Sequence, residues 1–218
     1  MKRLAIVVPV RAPLEGKSRL AGILSADERY ELNLKLMRHT FDQVAVLAEV
    51  AAVYVVSKSS EVLADAARRG FEACLEPDDC ELNGAVTLAA RWAEEAGAIE
   101  VMVLPTDLPW LSSDQLLLVL EEFRNTCDVM IVTDRTKLGT NLLLWRPIGT
   151  SNFSYGVGSA KQHAEAAARL NLRVRIRQDR LLSFDLDTPY DFEVWSRSPS
   201  GGSQDAEVRE VGSRKGHR

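Results

Sequence analysis

Short apolar runs alternate with helix-forming segments along most of the chain, and this alternation limits the possible folds more than any other feature. The runs Leu4–Val8, Val53–Val56 and Val129–Val132 are four or five residues long and rich in valine, as expected of strands buried on both faces. A capping-box sequence, Ser25-Ala26-Asp27-Glu28, opens a long helix after the first run. This order of elements predicts an α/β fold with a mostly parallel, doubly wound sheet.

The composition is ordinary for one soluble α/β domain and argues against several other classes. A chain of 218 residues that is 46% hydrophobic can bury a sizeable core. The net charge of −4 and the lack of a basic stripe argue against nucleic-acid binding, and no apolar run is long enough to cross a bilayer. Cys74, Cys80 and Cys127 lack metal-ligand spacing, so we expect reduced thiols in a cytoplasmic protein.

The chain is expected to form one domain over residues 1–197. Residues 198–218 are rich in serine and glycine and poor in apolar side chains, which predicts a disordered tail. A homodimer is a possible assembly, on the sole ground that two-fold dimers are the commonest oligomers.

An apolar run at Val101–Leu104 ends at Pro105, and one acid, Asp107, follows before Pro109. The prolines end the strand because they cannot donate to a central ladder. In an open parallel sheet ligands bind beyond the carboxyl ends of the strands, so Asp107 is placed to hold a metal-bound phosphate. The alternative is an ordinary turn or N-cap aspartate, which is the commoner role of an isolated Asp.

The segment after the first strand, Pro9–Leu20, combines turn-forming residues with the cations Lys17 and Arg19. Gly16-Lys17-Ser18 is similar to the end of a phosphate-binding P-loop, but Arg11 stands where that pattern requires glycine, so the motif is excluded. A flexible basic loop at this place suits an anionic ligand. The alternative is a solvated surface loop.

Two glycines, Gly156 and Gly158, lie in the segment Phe153–Ser159, which leads directly into a helix. Glycines let the backbone approach a ligand closely, and a helix that begins at Ser159 as its N-cap offers free N–H groups to an anion. The glycines could equally be simple turn residues. His163, one turn into the helix, either contacts the ligand or is a buried core histidine.

The sequence Asp185-Leu186-Asp187 directs both carboxylates to one side if the segment is extended, and Thr188-Pro189 then starts a helix. With Asp107 these residues form a set of three acids. Mg²⁺ prefers such oxygen ligands and is usually shared with substrate phosphates. The alternative role of Asp187 or Thr188 is that of a helix cap, and Asp191 is expected only to complement the helix dipole. The preceding Leu181–Phe184 is either an edge strand or a lid.

A basic loop, three acids and a second anion site describe a centre that aligns two phosphorylated ligands around Mg²⁺. The fitting reaction is nucleotidyl transfer, in which a phosphate attacks the α-phosphorus of a nucleoside triphosphate and pyrophosphate leaves. A phosphate monoester is already anionic near neutral pH, so no strong general base is needed. Catalysis would then consist of positioning and charge neutralisation by Mg²⁺ and Lys17.

From Leu4 to about Trp195 the chain resembles the 2-phospho-L-lactate guanylyltransferase family of coenzyme F-420 biosynthesis. Each shared motif is short, but all occur in the order of the family. The resemblance implies a nucleotidyltransferase (glycosyltransferase-A-like) fold. The motifs are Lys17-Ser18-Arg19-Leu20, Leu82-Asn83-Gly84-Ala85, Asp107-Leu108-Pro109, Gly139-Thr140-Asn141, Gly156–His163 and Asp185-Leu186-Asp187-Thr188-Pro189.

The resemblance implies GTP as the donor, Mg²⁺ as the cofactor and a phosphorylated three-carbon acid as the acceptor. That acid is 2-phospho-L-lactate, phosphoenolpyruvate or 3-phospho-D-glycerate. Family members often have glycine where Leu138 stands, and a bulky residue there would reshape the acid pocket. The implied residues are Lys17 and Asp107 for catalysis; Asp107, Asp185 and Asp187 for the metal; Lys17, Arg19, Asn83, Gly84 and Pro105 for GTP; and Thr140, Gly156 and Ser159 for the acid.

Two other functions are compatible with these residues. A nucleotide-sugar-dependent glycosyltransferase of related fold would use Asp185-Leu186-Asp187 as its metal motif, although in that class the motif usually follows a central strand. A non-catalytic nucleotide-binding module would need neither the three acids nor the basic loop, and the presence of both argues against it.

Overall fold

The computed structural model describes residues 2–78 and 80–198, so the predicted tail lies outside the described residues except for Ser198. The capping box predicted at Ser25 is formed, since its side chain and that of Glu28 each accept a backbone N–H of the other residue. The strands of this part are Leu4–Pro9 (β1), Ala51–Ser57 (β2), Glu72–Leu75 (β3), Glu100–Val103 (β4), Val129–Thr133 (β5), Thr140–Trp145 (β6) and Val174–Arg177 (β7). Its α-helices are Ala26–Ala45 (α1), Ser60–Arg68 (α2), Leu82–Glu95 (α3), Ser113–Thr126 (α4), Ser159–Arg169 (α5) and Pro189–Ser196 (α6).

The strands form one sheet in the order β3-β2-β1-β4-β6-β5-β7. Neighbouring strands are parallel except where β6 pairs with β4 and β5, to which it is antiparallel. The predicted α/β fold with a mostly parallel sheet is therefore confirmed.

The sheet has a topological switch point between β1 and β4. From β1 the chain moves outwards to β2 and β3, and it then returns to β4 on the other side of β1. Ligands of doubly wound sheets bind at such a point, outside the carboxyl ends of the two strands. The segments that leave β1 and β4 there carry Lys17 and Asp107 respectively.

The antiparallel strand β6 brings a further pair of polar residues to this edge. Val103 of β4 lies opposite Leu143, and Thr133 at the end of β5 lies opposite Thr140. Because β6 runs the other way, its first residues, Thr140 and Asn141, lie beside the last residues of β4 and β5. The sequence motif Gly139-Thr140-Asn141 therefore reaches the ligand edge of the sheet.

Helices cover both faces of the sheet. One core cluster joins α1, α2 and α4 to alternate strand residues such as Ile6, and the other joins α3 and α5 to intervening residues such as Val7. A third, smaller cluster contains Leu20, Leu186 and Trp195. It fixes α6 and the loop after β1 against α1, and therefore holds two of the candidate segments in place.

The second half of the chain differs locally from the expectations. Strand β7 was not predicted, because its Val-Arg-Ile-Arg sequence is partly exposed at the sheet edge and lacks a continuous apolar run. Leu181–Phe184 is not an edge strand. It forms a turn in which Leu181 and Leu182 donate their N–H groups to the Asp179 carboxylate, and Leu182 is fully buried.

Candidate active site

The loop after β1 directs the Lys17 side chain inwards. Lys17 has left-handed backbone angles and precedes a single 3-10 turn, Ser18–Leu20, whose Leu20 is buried in the third cluster. Asn33 of α1 holds the other end of the loop by donating to the Pro13 carbonyl at 2.6 Å. As a result only 8% of the Lys17 side chain is exposed.

The Lys17 ammonium lies between two carboxylates from distant parts of the chain. Its Nζ is 3.2 Å from Asp107 Oδ2 and 2.8 Å from Asp187 Oδ1. Arg19 lies farther out, with its guanidinium 3.9 Å from Asp187 Oδ2 and 73% of its side chain exposed. The structure thus brings together Lys17, Asp107 and Asp187, with Arg19 at the rim.

A backbone hydrogen bond joins the two acidic segments, since Leu186 N donates to Asp107 O at 3.0 Å. Leu186 is fully buried in the third cluster, between the two aspartates that flank it. Asp191 supports the same segment from α6, where its carboxylate accepts the N–H groups of Asp187 and Thr188 at 3.1 and 2.7 Å. The Asp-x-Asp segment is therefore anchored by its apolar centre and by a buried carboxylate.

Asp185 lies near enough to Asp107 and Asp187 for their charges to act on its carboxyl group. Burial raises the pKa of Asp185, and the charges of Asp107 and Asp187 raise it further, against a smaller lowering by a hydrogen bond from Asn141. Burial lowers the pKa of Lys17, but Asp107 and Asp187 outweigh burial and the net shift is upward. We refer to Lys17, Asp107, Asp185 and Asp187 as the lysine–aspartate centre.

This centre suits a hard cation but is not a closed metal cage. Within residues 2–78 and 80–198, no three His, Cys, Asp or Glu side chains are grouped so that they could hold a metal ion alone. Mg²⁺ does not need such a cage, because it is usually held by one or two carboxylates together with substrate phosphates. The donors are all carboxylate oxygens, and Asp107 and Asp187 already hold a cation, the Lys17 ammonium. The residues present therefore fit Mg²⁺.

A second group of polar residues surrounds the start of α5. Thr140 Oγ1 is 3.1 Å from His163 Nδ1 and accepts the Ser159 hydroxyl at 3.2 Å. Thr140 is 9% exposed, Ser159 2% and His163 fully buried. Two of the residues implied for the acid, Thr140 and Ser159, are thus in direct contact. His163 is a core residue with satisfied hydrogen bonds, as one of the two alternatives predicted.

The loop before α5 is held on both sides. His163 Nε2 accepts Ser154 N–H at 2.9 Å, and the Asn83 amide bonds both the N–H and the carbonyl of Tyr155, at 2.7 and 3.1 Å. Gly156 has φ 135° and Gly158 has φ 74°, which are values that side-chain-bearing residues rarely adopt. We refer to Thr140, Ser159 and the loop Ser154–Gly158 as the acid-side cradle.

Two features of this helix start differ from the expectation. The N-cap is Gly158, so Ser159 is the first helical residue. The N–H of Ser159 donates to Gly156 O and that of Ala160 donates to Leu138 O, so these groups are not free for an anion. The cradle therefore offers a hydroxyl group and a glycine loop rather than an open set of helix N–H groups.

The other residues predicted for GTP lie near the switch point without touching Lys17. Asn83 and Gly84 lie in the first turn of α3, and a Cβ at Gly84 would come within 2.6 Å of Cys80 Sγ. Pro105 directly follows Leu104, whose N–H extends the ladder to β1. Among the described contacts, none joins these residues to the lysine–aspartate centre, and their role in binding GTP stays a prediction.

Three supporting residues were missed by sequence reasoning. Asn141 is 7% exposed and donates to Leu182 O at 3.0 Å, and it also hydrogen-bonds Asp185. Asp191 was interpreted only as a charge that complements the helix dipole, but it also pairs with Arg135 from the β5–β6 loop. Of these residues, only Asn141 could have been identified from the sequence. A polar residue inside a buried strand must find a hydrogen-bond partner.

Comparison with solved structures identifies the fold class. A protein from Desulfovibrio desulfuricans G20, named for nucleotide-diphospho-sugar transfer, has a TM-score of 0.75 at 18% identity and covers 96% of this chain and 98% of its own. A nucleotidyl transferase from Methanothermobacter has a TM-score of 0.59 at 14% identity, covering 89% and 96%. The fold is thus that of the nucleotidyltransferase class.

Sequence similarity narrows the class to one family. The model of the family described as "Guanylyl transferase CofC like" matches residues 4–195, and the chain belongs to this family. A phosphoenolpyruvate guanylyltransferase from Sphaerobacter thermophilus is 35% identical over 91% of this chain and 96% of its own. A 3-phospho-D-glycerate guanylyltransferase from Phenylobacterium zucineum is 31% identical over 89% and 90%. A 2-phospho-L-lactate guanylyltransferase from Methanobrevibacter smithii is 25% identical over 85% and 80%. The chain is thus a guanylyltransferase.

Proposed function

We propose that this guanylyltransferase transfers GMP from GTP to the phosphate of a small phosphorylated three-carbon acid in coenzyme F-420 biosynthesis. The candidate acceptors are phosphoenolpyruvate, 3-phospho-D-glycerate and 2-phospho-L-lactate, the acids for which its relatives are named. Phosphoenolpyruvate is the first candidate, because the relative named for it has the highest identity of these three, at 35%.

The reaction forms one bond and breaks another at the same phosphorus atom. A phosphate oxygen of the acid attacks the α-phosphorus of GTP, the bond from that phosphorus to the bridging oxygen breaks, and pyrophosphate leaves with the electron pair. The second pKa of a phosphate ester is about 6, so the attacking oxygen is already anionic at neutral pH. No general base is required from the protein.

The lysine–aspartate centre supports this chemistry through charge. Lys17 places a positive charge at the switch point, where it can oppose the charge that grows on the transferred phosphoryl group. Asp107, Asp185 and Asp187 would hold Mg²⁺, which neutralises phosphate charge when it is bound. Arg19, whose side chain is exposed at the rim, would meet the outer phosphates of GTP.

The remaining predicted residues divide between the two substrates. Asn83 and Gly84, in the first turn of α3, and Pro105, shortly after β4, would face the nucleotide. On the other side, the Thr140 hydroxyl would bind the acid, Ser159 would support it by donating to Thr140 Oγ1, and the Gly156 backbone would lie close to the acid.

One observation carries the proposal, namely that the Lys17 ammonium joins Asp107 and Asp187 at the switch point of the sheet. This arrangement supports phosphate chemistry, because the ammonium and a carboxylate-bound Mg²⁺ would together neutralise phosphate charge. Membership of a guanylyltransferase family argues against the glycosyltransferase alternative.

The test is pyrophosphate release from GTP and Mg²⁺ with each of the three acids offered separately. We expect turnover with one acid, and loss of turnover in Asp107→Asn. The matched control is Glu121→Gln, on an exposed face of α4, which should retain full activity. Tight GTP binding without turnover of any acid would indicate a non-catalytic module, and unchanged turnover in Asp107→Asn would overturn the metal assignment.

We also propose that the protein is cytoplasmic and that it forms a homodimer. The three cysteines are free in the structure, as they would be in a reducing compartment. In the described part of the chain, no helix has the length and apolar character needed to cross a membrane.

A further inference from the structure

His163 contacts both halves of the acid-side cradle although it is fully buried. Its Nδ1 is 3.1 Å from Thr140 Oγ1 and its Nε2 is 2.9 Å from Ser154 N. The Tyr155 ring packs edge-on against the imidazole, with the ring centres 5.0 Å apart. A side chain without exposed surface cannot touch a substrate, so any effect of His163 must pass through these neighbours.

The two hydrogen bonds define which nitrogen carries the proton. Burial lowers the pKa of His163 to about 4, so the imidazole is neutral at pH 7 and has one N–H group. A backbone N–H can only donate, so Nε2 must accept from Ser154 and carries no proton. The proton is therefore on Nδ1, and Nδ1–H donates to Thr140 Oγ1.

This assignment determines the direction of the Thr140 hydroxyl. Thr140 Oγ1 accepts one hydrogen bond from His163 Nδ1–H and a second from the Ser159 hydroxyl, which together occupy both of its lone pairs. Its own hydrogen is then the only capacity that remains. Thr140 is thus restricted to donating, which suits a carboxylate or phosphate oxygen.

We propose that His163 is a positioning residue for the acid substrate, which fixes the Thr140 hydroxyl as a donor and holds the loop that carries Gly156. This proposal rests on the proposed function, in which Thr140 binds the acid. The chemical class that this arrangement selects is an anionic oxygen acceptor. A Thr140 hydroxyl that can only donate binds an ionised oxygen more strongly than a neutral hydroxyl group of a ligand. It assigns no role to His163 in binding GTP.

Two substitutions separate the two hydrogen bonds. His163→Asn places an amide N–H where Nδ1–H stood and removes the acceptor for Ser154. His163→Gln places an amide oxygen near the position of Nε2 and removes the donor to Thr140. We expect His163→Gln to raise the KM of the acid about tenfold with little change in the KM of GTP, and His163→Asn to retain a lower acid KM than His163→Gln.

A double-mutant cycle with Thr140→Val tests whether His163 acts through Thr140. We expect the acid KM of Thr140→Val/His163→Gln to be no higher than that of Thr140→Val alone. Additive effects, or equal rises in both KM values, would overturn the proposal. Failure of the wild-type enzyme to use any acid would instead overturn the proposed function, so the two failures are distinct.

A measurement on the wild-type protein keeps the proposal testable even if the variants do not fold. The ¹⁵N chemical shifts of the His163 ring at pH 7 should show a protonated Nδ1 and an unprotonated Nε2. The opposite tautomer, or a charged ring, would exclude His163 as the donor to Thr140 and would overturn the proposal.

Discussion

The lysine–aspartate centre and the acid-side cradle lie at the same edge of the sheet but are built from opposite kinds of interaction. The centre holds a buried ammonium between the carboxylates of Asp107 and Asp187, and the charges of these groups help to raise the pKa of both Lys17 and Asp185. The cradle contains no charged side chain: its hydroxyl groups and a neutral imidazole bond one another and the backbone. One region is therefore stabilised by charge pairing and the other by hydrogen-bond direction.

Adjacent residues of β6 connect the two regions. Successive side chains of a strand point to opposite faces. Thr140 accordingly contacts His163 on the α5 side, whereas Asn141 contacts Leu182 and Asp185 on the other side. We therefore expect substitutions in the charged centre mainly to lower turnover. Substitutions in the neutral cradle should mainly weaken binding of the acid.

The largest expected effect is the loss of the central charge in Lys17→Met. We expect kcat/KM to fall by about a thousandfold, the magnitude found when one electrostatic contact to a transition state is removed. The protein should also be less stable, because Asp107 and Asp187 lose the cation that they share. Pyrophosphate release and thermal unfolding measure the two effects.

Arg19→Met is the matched control, because Arg19 is 73% exposed and 3.9 Å from Asp187. It should leave the unfolding temperature unchanged and affect turnover far less. Added Mg²⁺ should raise the unfolding temperature of Lys17→Met more than that of the wild type, since the freed carboxylates then bind the ion. Equal responses to Mg²⁺ would contradict the charge-pairing interpretation.

The next effect is a gain of stability that accompanies a loss of activity in Asp185→Asn. Burial and the charges of Asp107 and Asp187 raise the pKa of Asp185 in the folded state, so its ionised form destabilises the fold. Asp185→Asn should therefore unfold at a higher temperature at pH 7, and this gain should shrink as the pH falls through the raised pKa toward about 3.9, the value of an unperturbed Asp. Turnover should fall by about a hundredfold.

Asp187→Asn provides the contrast within the same segment. It removes the closest partner of Lys17, so it should lower stability at pH 7 while it also lowers turnover. If Asp185→Asn were the less stable of the two variants, the assignment of the destabilising charge to Asp185 would be wrong.

The sequence predicted the charged region better than the neutral one. Lys17, Asp107 and the Asp-x-Asp segment each follow a recognisable strand or precede a helix, and the rule that ligands bind at strand ends was enough to bring them together. The antiparallel direction of β6 was not predicted, because no local pattern records the direction of pairing.

The cradle depends on interactions that only tertiary structure defines. His163 could be interpreted as a ligand partner or as a core residue until its two ring nitrogens had neighbours. The N-cap of α5 shifted by one residue, to Gly158, because a left-handed glycine ended the loop there. Asn83, implied to face the nucleotide, bonds both backbone groups of Tyr155, which lies 72 positions away.

The loss of stability at low pH should report on His163, which supports the neutral region. Burial alone lowers the pKa of His163 from 6.5 to about 4, so the unfolded chain binds a proton first as the pH falls. Stability is therefore lost between about pH 6.5 and pH 4, by up to roughly 3 kcal/mol. The measurement is urea unfolding of wild type and His163→Gln at each pH.

The difference between the two proteins isolates this residue, because all carboxylates are common to both. Wild type should lose stability faster than His163→Gln over that range, and the two should change in parallel above pH 7. Parallel curves throughout would mean that His163 is not held neutral in the folded protein.

The smallest expected effect decides to which region Asn83 belongs. Asn83→Ala removes two hydrogen bonds to Tyr155 in a half-buried place, which should destabilise the protein by about 2 kcal/mol. If Asn83 acts mainly as a brace of the acid-side cradle, the KM of the acid should rise several-fold while the KM of GTP changes little. Thr87→Val, one turn further along α3, removes only a bond within the helix and should leave both KM values unchanged. A rise confined to the KM of GTP would instead assign Asn83 to the nucleotide, as the family resemblance implies, and the hydrogen bonds to Tyr155 would then be secondary to that role.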